Sequence, residues 1–382
     1  MIVVIVTDCF AIRSNGTAVS ANNLYTTLKA KGHTVRVVAP MLDNIEGGFC
    51  VEERYIPLVT ELAKKQHTHF GKADKKTLRE AFSGADIIHF FLPFKLEIIG
   101  VQIAREMQIP YFAGFHLQPQ NLTYNAHLSK IPFIHQFIFW LFHFRFYRYI
   151  RHIHCPSSLI KSEVENAGYG AKTFVISNGF TPRIKCLKRT KVDDFFHIAM
   201  TGRHSYEKRQ DILIEAVKLS KYESRIKLHL NGLGPRTEHY KKLAKSLSNP
   251  ANIGFISDED LVRLYEHTDL YIHTSDVDGE SISTLDAISN GIVPIISDSA
   301  FSATKQFALD SSSLFKAGSA SDLAQKIDFF IENPDALQSL GKEYAKVSKQ
   351  FDLGLCVDKM IDLYNQVILD FKNGLNAKFD TF

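Results

Sequence analysis

The sequence predicts an α/β protein of two Rossmann-like, doubly wound domains facing across a crevice. Three observations predict this. A chain of 382 residues is longer than one hydrophobic core usually serves. A short β-branched strand followed by a polar loop and a helical pattern opens the chain at residues 2–6, and the same sequence of patterns restarts at 196–202. Between them, residues 181–194 are rich in Lys, Arg, Pro and Asp and lack apolar periodicity, so they read as a linker. The expected division is 1–182, then 183–355, then a final segment 356–382 whose helix could return to the first domain.

Composition narrows the function classes. Hydrophobic residues make up 45% of the chain and charged residues 23%, which excludes a disordered or fibrous protein. Residues 1–182 carry 19 Lys and Arg against 13 Asp and Glu, a net +6, while the remainder carries 26 against 28, a net −2. A basic N-terminal half fits nucleic acid or an anionic lipid surface, and no nucleic-acid motif accompanies it. The five cysteines are odd in number, scattered and without metal-ligand spacing, which fits a reducing compartment. The N-terminus has no basic segment ahead of its apolar run, so it reads as a first strand rather than a signal.

Residues 2–6 form that strand. A loop through Asn15 and Gly16 leads into a helix over 18–31, and 34–39 is the second strand, closed by Pro40. The loop lies where open α/β sheets bind ligands, although a lone Gly16 equally serves a plain turn. The dinucleotide fingerprint is absent, so NAD is not supported. Residues 86–91 and 111–116 read as further strands, with His116 at a strand end; it points to the crevice or is a hydrogen-bonded structural histidine. Residues 130–154 mix Trp140 and many Phe and Tyr with Arg145, Arg148 and Arg151. Their apolar part is too short to cross a bilayer, which needs about 20 residues. The mixture suits an interfacial helix on anionic lipid, or a buried helix with a basic end.

In the second half, the strand at 196–202 ends at Gly202, with Arg203 and Lys208 in the following loop and a helix over 211–219. Strands follow at 226–231 and 253–256, the latter ending at Ile256. The most informative window is 270–297: a strand, an acidic turn through Asp278 and Glu280, a helix from Ile282 to Ser289, and a strand from 292. Free N–H groups and the positive end of the helix dipole, at Ile282, Ser283 and Thr284, suit a phosphate. Asp278, Glu280 and Asp286 suit sugar hydroxyls, or are solvated acids beside a capped structural helix. Arg203 and Lys208 would neutralise a diphosphate, or form a solvated pair. Helices over 322–333, 335–349 and 357–372 complete the chain.

Taken together, the Gly16 loop, His116, Gly202-Arg203 with Lys208, and the acidic window before Ala287-Ile-Ser-Asn-Gly291 resemble the retaining glycosyltransferases of family 4, of GT-B type, over essentially the whole chain. That resemblance implies that Arg203 and Lys208 bind the donor diphosphate, that His116 lies by the donor sugar, and that no metal or other cofactor is required. It also implies that two acids eight apart hold the sugar and the ribose. Those positions are Asp278 and Asp286, both shorter than the family's glutamates, so Glu280 is a candidate substitute for Asp278. Longer stretches resemble the bacterial cholesterol α-glucosyltransferases: Phe115-His-Leu-Gln-Pro119, Tyr147-Arg-Tyr-Ile-Arg-His-Ile-His-Cys-Pro156, Ile176-Ser-Asn-Gly-Phe180 and Ser302-Ala-Thr-Lys-Gln-Phe-Ala-Leu-Asp310. This implies UDP-glucose as donor, a membrane sterol as acceptor, an α-glucoside as product, and a cytoplasmic protein held peripherally on the inner face of the membrane. Competing expectations are another acceptor, such as diacylglycerol or a polysaccharide, a UDP-sugar 2-epimerase, or an inactive lipid-binding protein.

Overall fold

The computed structural model describes residues 1–11, 16–57, 60–61, 64, 69–126, 128, 131–181 and 193–375. Asn15, Lys130, Cys186 and most of the expected linker lie outside them. Two compact units result. The first comprises Met1–Pro119, Ser129–Gly179 and Leu353–Phe382; the second comprises Gln120–Leu128 and Phe180–Asp352.

The first unit is a seven-stranded parallel sheet in the order β3-β2-β1-β4-β5-β6-β7. Its strands are β1 (Ile2–Val6), β2 (Thr34–Pro40), β3 (Gly48–Val51), β4 (Ile87–Phe90), β5 (Tyr111–Gly114), β6 (His152–Cys155) and β7 (Lys172–Val175). Side chains alternate between two buried faces, as a parallel sheet covered on both sides requires. Val4, Val6, Ile88 and Phe90 pack with helices Lys75–Phe82 and Lys95–Glu106. Val3, Ile5, Ile87 and Phe112 face the other way, against helix Gly16–Ala30 and the last helix, Leu353–Lys372. That last helix presents Val357, Met360, Tyr364 and Val367 at helical spacing. Asp370 near its end accepts hydrogen bonds from Lys172 at 2.9 Å and His152 at 2.8 Å.

The second unit has a six-stranded parallel sheet in the order β10-β9-β8-β11-β13-β15. It contains β8 (Phe196–Thr201), β9 (Ile226–Asn231), β10 (Asn252–Gly254), β11 (Leu270–His273), β13 (Val293–Ser297) and β15 (Leu314–Phe315). β12 (Val277–Asp278) and β14 (Phe301–Ser302) pair separately, fixing the backbone at Asp278. Both sheets reverse their winding beside the unit's first strand, between β1 and β4 and between β8 and β11. Ligands of open α/β sheets bind outside the carboxyl ends of the strands at such points.

The expected single interfacial helix over 130–154 is corrected. Residues 134–145 are helical, a tight 3₁₀ turn spans Tyr147–Tyr149, and His152–Cys155 is strand β6. The segment must supply a central strand of the sheet, and a strand cannot share a helix's periodicity. Likewise, the strand expected to end at Ile256 stops at Gly254, and Ile256 packs against Leu261 and Tyr265.

Candidate active site

The second unit's switch point is built from the loop after β8 and the turn after β11. Gly202 donates its N–H to the Asn231 carbonyl at 2.9 Å, holding the loop against the end of β9. Gly232 sits at φ +144°, and a Cβ there would lie 2.1 Å from the Gly202 carbonyl oxygen, so this approach needs glycine. Arg203 and Lys208 follow on this loop.

Neither cation is a solvated surface charge. Arg203 Nη2 lies 2.9 Å from Glu207 Oε1, and Ser205 Oγ donates to the same oxygen at 2.7 Å. Lys208 Nζ lies 2.6 Å from Asp278 Oδ2, which also accepts from His273 Nε2 at 3.0 Å. Burial works to raise the Asp278 carboxyl, but the Lys208 ammonium and the His273 hydrogen bond hold it well below the usual carboxylate range. Burial in turn lowers His273 despite Asp278. Arg209, directly after Lys208, has the left-handed φ of 53° and is pinned by Asp276 at 2.9 Å and by Asp211. A bulky residue in that conformation marks a loop whose shape is imposed by its partners.

The helix Ile282–Ser289 starts beside this loop. Ser281 caps it by accepting from the Thr284 N–H at 3.3 Å, and no acid occupies its first turn. Ser283 Oγ donates to the Thr201 carbonyl at 3.0 Å, tying the helix start to the end of β8. The structure therefore gathers Gly202, Arg203, Lys208, Asp278 and the Ile282–Thr284 amides around one strand-end loop. Asp286 lies one turn further in and is nearly buried; Glu280 is half-buried on the turn. Glu207, His273 and Asp276 were not anticipated. For Glu207 a signal was present in the spacing Arg203-x₃-Glu207, an i,i+4 pair.

In the first unit, Gly16 is the first residue of its helix. His116 follows β5 with its ring stacked on Phe91, centroids 4.6 Å apart. A Cβ on Gly114 would lie 2.3 Å from His116 Nε2, so glycine admits the ring. Burial, reinforced by His154, pushes His116 well below its ordinary value of 6.5, leaving it neutral. Ring nitrogens of His89, His116 and His154 lie within 4.8 Å of one another.

The residues expected to touch a membrane divide. Trp140 is 54% exposed and stacks between Phe137 and Phe144, with centroids 5.8 and 5.4 Å away. Arg145 is exposed beside them. Arg148 is half-buried with its guanidinium 4.4 Å from the Phe144 ring, and Arg151 donates to the Leu375 carbonyl. These two, ahead of β6, are tied into the first unit by those contacts and are less exposed than Arg145.

Paired doubly wound parallel sheets of this order are the architecture of the GT-B glycosyltransferases. Two family models match the chain in tandem, Glycosyltransferase Family 4 over residues 14–183 and Glycosyl transferases group 1 over residues 187–347. The chain belongs to the group 1 family of GT-B glycosyltransferases. It is 26% identical over 308 residues to the α-monoglucosyldiacylglycerol synthase of Streptococcus pneumoniae, covering 76% of this chain and 69% of that protein. Anabaena Alr3699/HepE in complex with UDP-glucose superposes with a TM-score of 0.71 at 16% identity, over 96% of this chain and 100% of that one. The catalytic domain of cholesterol-α-glucosyltransferase from Helicobacter pylori is 45% identical, covering 41% of this chain and 99% of that one, with a TM-score of 0.38.

Proposed function

We propose that this protein is a retaining glucosyltransferase that moves glucose from UDP-glucose to the 3-hydroxyl of a membrane sterol such as cholesterol. The observation that carries the donor side is the strand-end loop bearing Arg203 and Lys208 beside the start of the helix Ile282–Ser289. Two cations and a ring of amides suit a diphosphate. As the diphosphate departs, Arg203, Lys208 and these amides stabilise its growing charge, and the hydroxyl attacks from the same face. The β-phosphate accepts the hydroxyl's proton, so no protein nucleophile is needed. Losing one such contact raises the barrier by about 2.7–4 kcal/mol, by analogy with an oxyanion donor. Glu280 or Asp278 holds glucose hydroxyls, Asp286 the ribose, and neutral His116 donates to or accepts from the sugar. Asp278 is already engaged by Lys208 and His273, which favours Glu280 for the sugar.

The sterol acceptor is supported by the long sequence stretches similar to cholesterol α-glucosyltransferases and by the exposed aromatic ladder Phe137-Trp140-Phe144. Aromatic rings sit well at the headgroup level of a bilayer. No helix among the described residues is long and apolar enough to cross a membrane, so attachment would be peripheral, on the cytoplasmic face where UDP-sugars are made. A second reading, diacylglycerol as acceptor, is favoured by the Streptococcus pneumoniae relative. The deciding experiment gives purified protein radiolabelled UDP-glucose and liposomes containing cholesterol or diacylglycerol, with the product's anomer read by NMR. Labelled α-glucoside in the cholesterol arm is expected. Transfer to diacylglycerol alone would select the second reading, and interconversion of UDP-sugars without acceptor would overturn both.

A further inference from the structure

The first sheet's own switch point holds a cavity of about 330 Å³, within the usual range for a small-molecule site. Asp8, from the loop after β1, lines it together with Phe94 and Ile98, which follow β4, and Leu141 and Phe142 of the helix Ile134–Arg145. Apart from Asp8 and a mouth carrying Arg54, Lys95 and Arg145, the lining is almost wholly apolar. Those three cations are exposed, and no ion pair holds them among the described residues.

Asp8 is 2% exposed and accepts the Gly71 N–H; the wholly buried Glu97 carboxyl is hydrogen-bonded beside it. Burial raises both carboxyls, Asp8 to about 6 and Glu97 well above its ordinary 4.5, so the pair takes up a proton more readily than free carboxylates, and Asp8 is the member that lines the cavity as an acceptor. The outer side of the helix that supplies Leu141 and Phe142 carries the exposed Phe137, Trp140 and Phe144. One helix therefore joins a lipid-compatible surface to an apolar cavity ending in a hydrogen-bond acceptor.

We propose that this cavity is the acceptor-lipid site, holding an uncharged, hydroxyl-bearing amphiphile with its hydroxyl donating to Asp8 and its apolar body against Phe94, Ile98, Leu141 and Phe142. The proposal rests on the glycosyltransferase reading above. An anionic headgroup is disfavoured at the floor because it would meet the Asp8 carboxylate, while Arg54, Lys95 and Arg145 at the mouth suit the anionic lipids around the bound molecule. Asp8 orients the hydroxyl in the ground-state complex; for transfer the single O–H turns from Asp8 to the departing diphosphate, which takes the proton as the oxygen bonds to the sugar.

The test compares wild type with Asp8→Asn and the cavity-filling Leu141→Trp. Steady-state kinetics use UDP-glucose with cholesterol or diacylglycerol vesicles, and binding of a fluorescent sterol is measured without donor. Loss of a hydrogen bond to a charged group predicts a lipid KM higher by about tenfold in Asp8→Asn, with the UDP-glucose KM nearly unchanged. Leu141→Trp is expected to abolish saturable sterol binding, which keeps the proposal testable if Asp8→Asn folds poorly. Unchanged lipid KM and sterol binding in both variants, with active wild type, would overturn this site alone. Displacement of the sterol by an anionic lipid from the cavity would overturn the choice of occupant. Transfer by wild type only to water-soluble acceptors would overturn the lipid reading and this site together.

Discussion

Lys208 and Asp278 meet at 2.6 Å with side chains mostly out of water, so a substitution at one is felt by the other. Lys208→Ala leaves a buried carboxylate with only His273, and breaking such a pair costs about 3 kcal/mol. We expect a lower melting temperature as well as lost turnover, and Lys208→Ala/Asp278→Asn to recover the former but not the latter. Recovery of neither would point to wider misfolding of the loop. The same pair sets a pH dependence. Asp278's folded pKa is depressed, so its contribution is present above the unfolded value near 3.8 and is lost as pH falls below it. Urea titrations should show the stability gap between wild type and Asp278→Asn narrowing as pH drops from 5 to 3. Glu97 acts in the opposite sense. Burial and Asp8 raise it well above 4.5, so wild type should lose up to about 1.4 kcal/mol per pH unit above that value while Glu97 titrates only in the unfolded chain. Glu97→Gln, still flanked by Asp8 and with Arg54 nearby, should flatten that slope; an unchanged slope would place the proton elsewhere.

The helix Ile134–Arg145 has two faces with different work. Phe139 and Phe142 are buried in the first unit's core, while Phe133 is 78% exposed and Trp140 54%. Phe137→Ser/Trp140→Ser should therefore leave thermal unfolding nearly unchanged and weaken vesicle flotation. The charge is tested by Arg145→Gln, worth about 1 kcal/mol of binding to anionic vesicles and fading with salt. Undiminished flotation in both variants would assign this face another role. The sequence announced this segment by its composition but not its breaks, because aromatic residues fit helices and strands alike. The strands β1, β2 and β13 were readable as runs rich in buried β-branched residues. β3 was not: its four residues, Gly-Phe-Cys-Val, include one buried side chain. The residues proposed for the donor side stood out in the sequence because each type implies a chemistry, cations for a diphosphate and acids for hydroxyls. Their internal partners did not, since which carboxylate reaches Lys208 depends on β12 pairing with β14, two residues each.

At the scale of the whole molecule, two repeats of a βαβ pattern were enough to anticipate two parallel sheets. The path of the chain was harder to read, because Gln120–Leu128 joins the second unit by its packing and not by its place in sequence. Deleting the chain from Leu353 onward should expose the face lined by Val3, Ile5 and Phe112, seen as dye binding and loss of solubility; a soluble, compact product would show that the last helix is dispensable. The same helix has a consequence for synthesis. Its Asp358 bonds Lys31 at 2.7 Å, 327 positions earlier. Emerging from the ribosome, the first unit has all seven strands, but one side has the helix Gly16–Ala30 without its partner, the last helix, until the second unit has been translated. At about 5–20 residues per second, that wait is roughly 10–35 s. The second unit is free to fold in the interval, so the half of the protein made first is the half finished last, and a nascent chain stalled short of Leu353 would be held by chaperones through its N-terminal sheet.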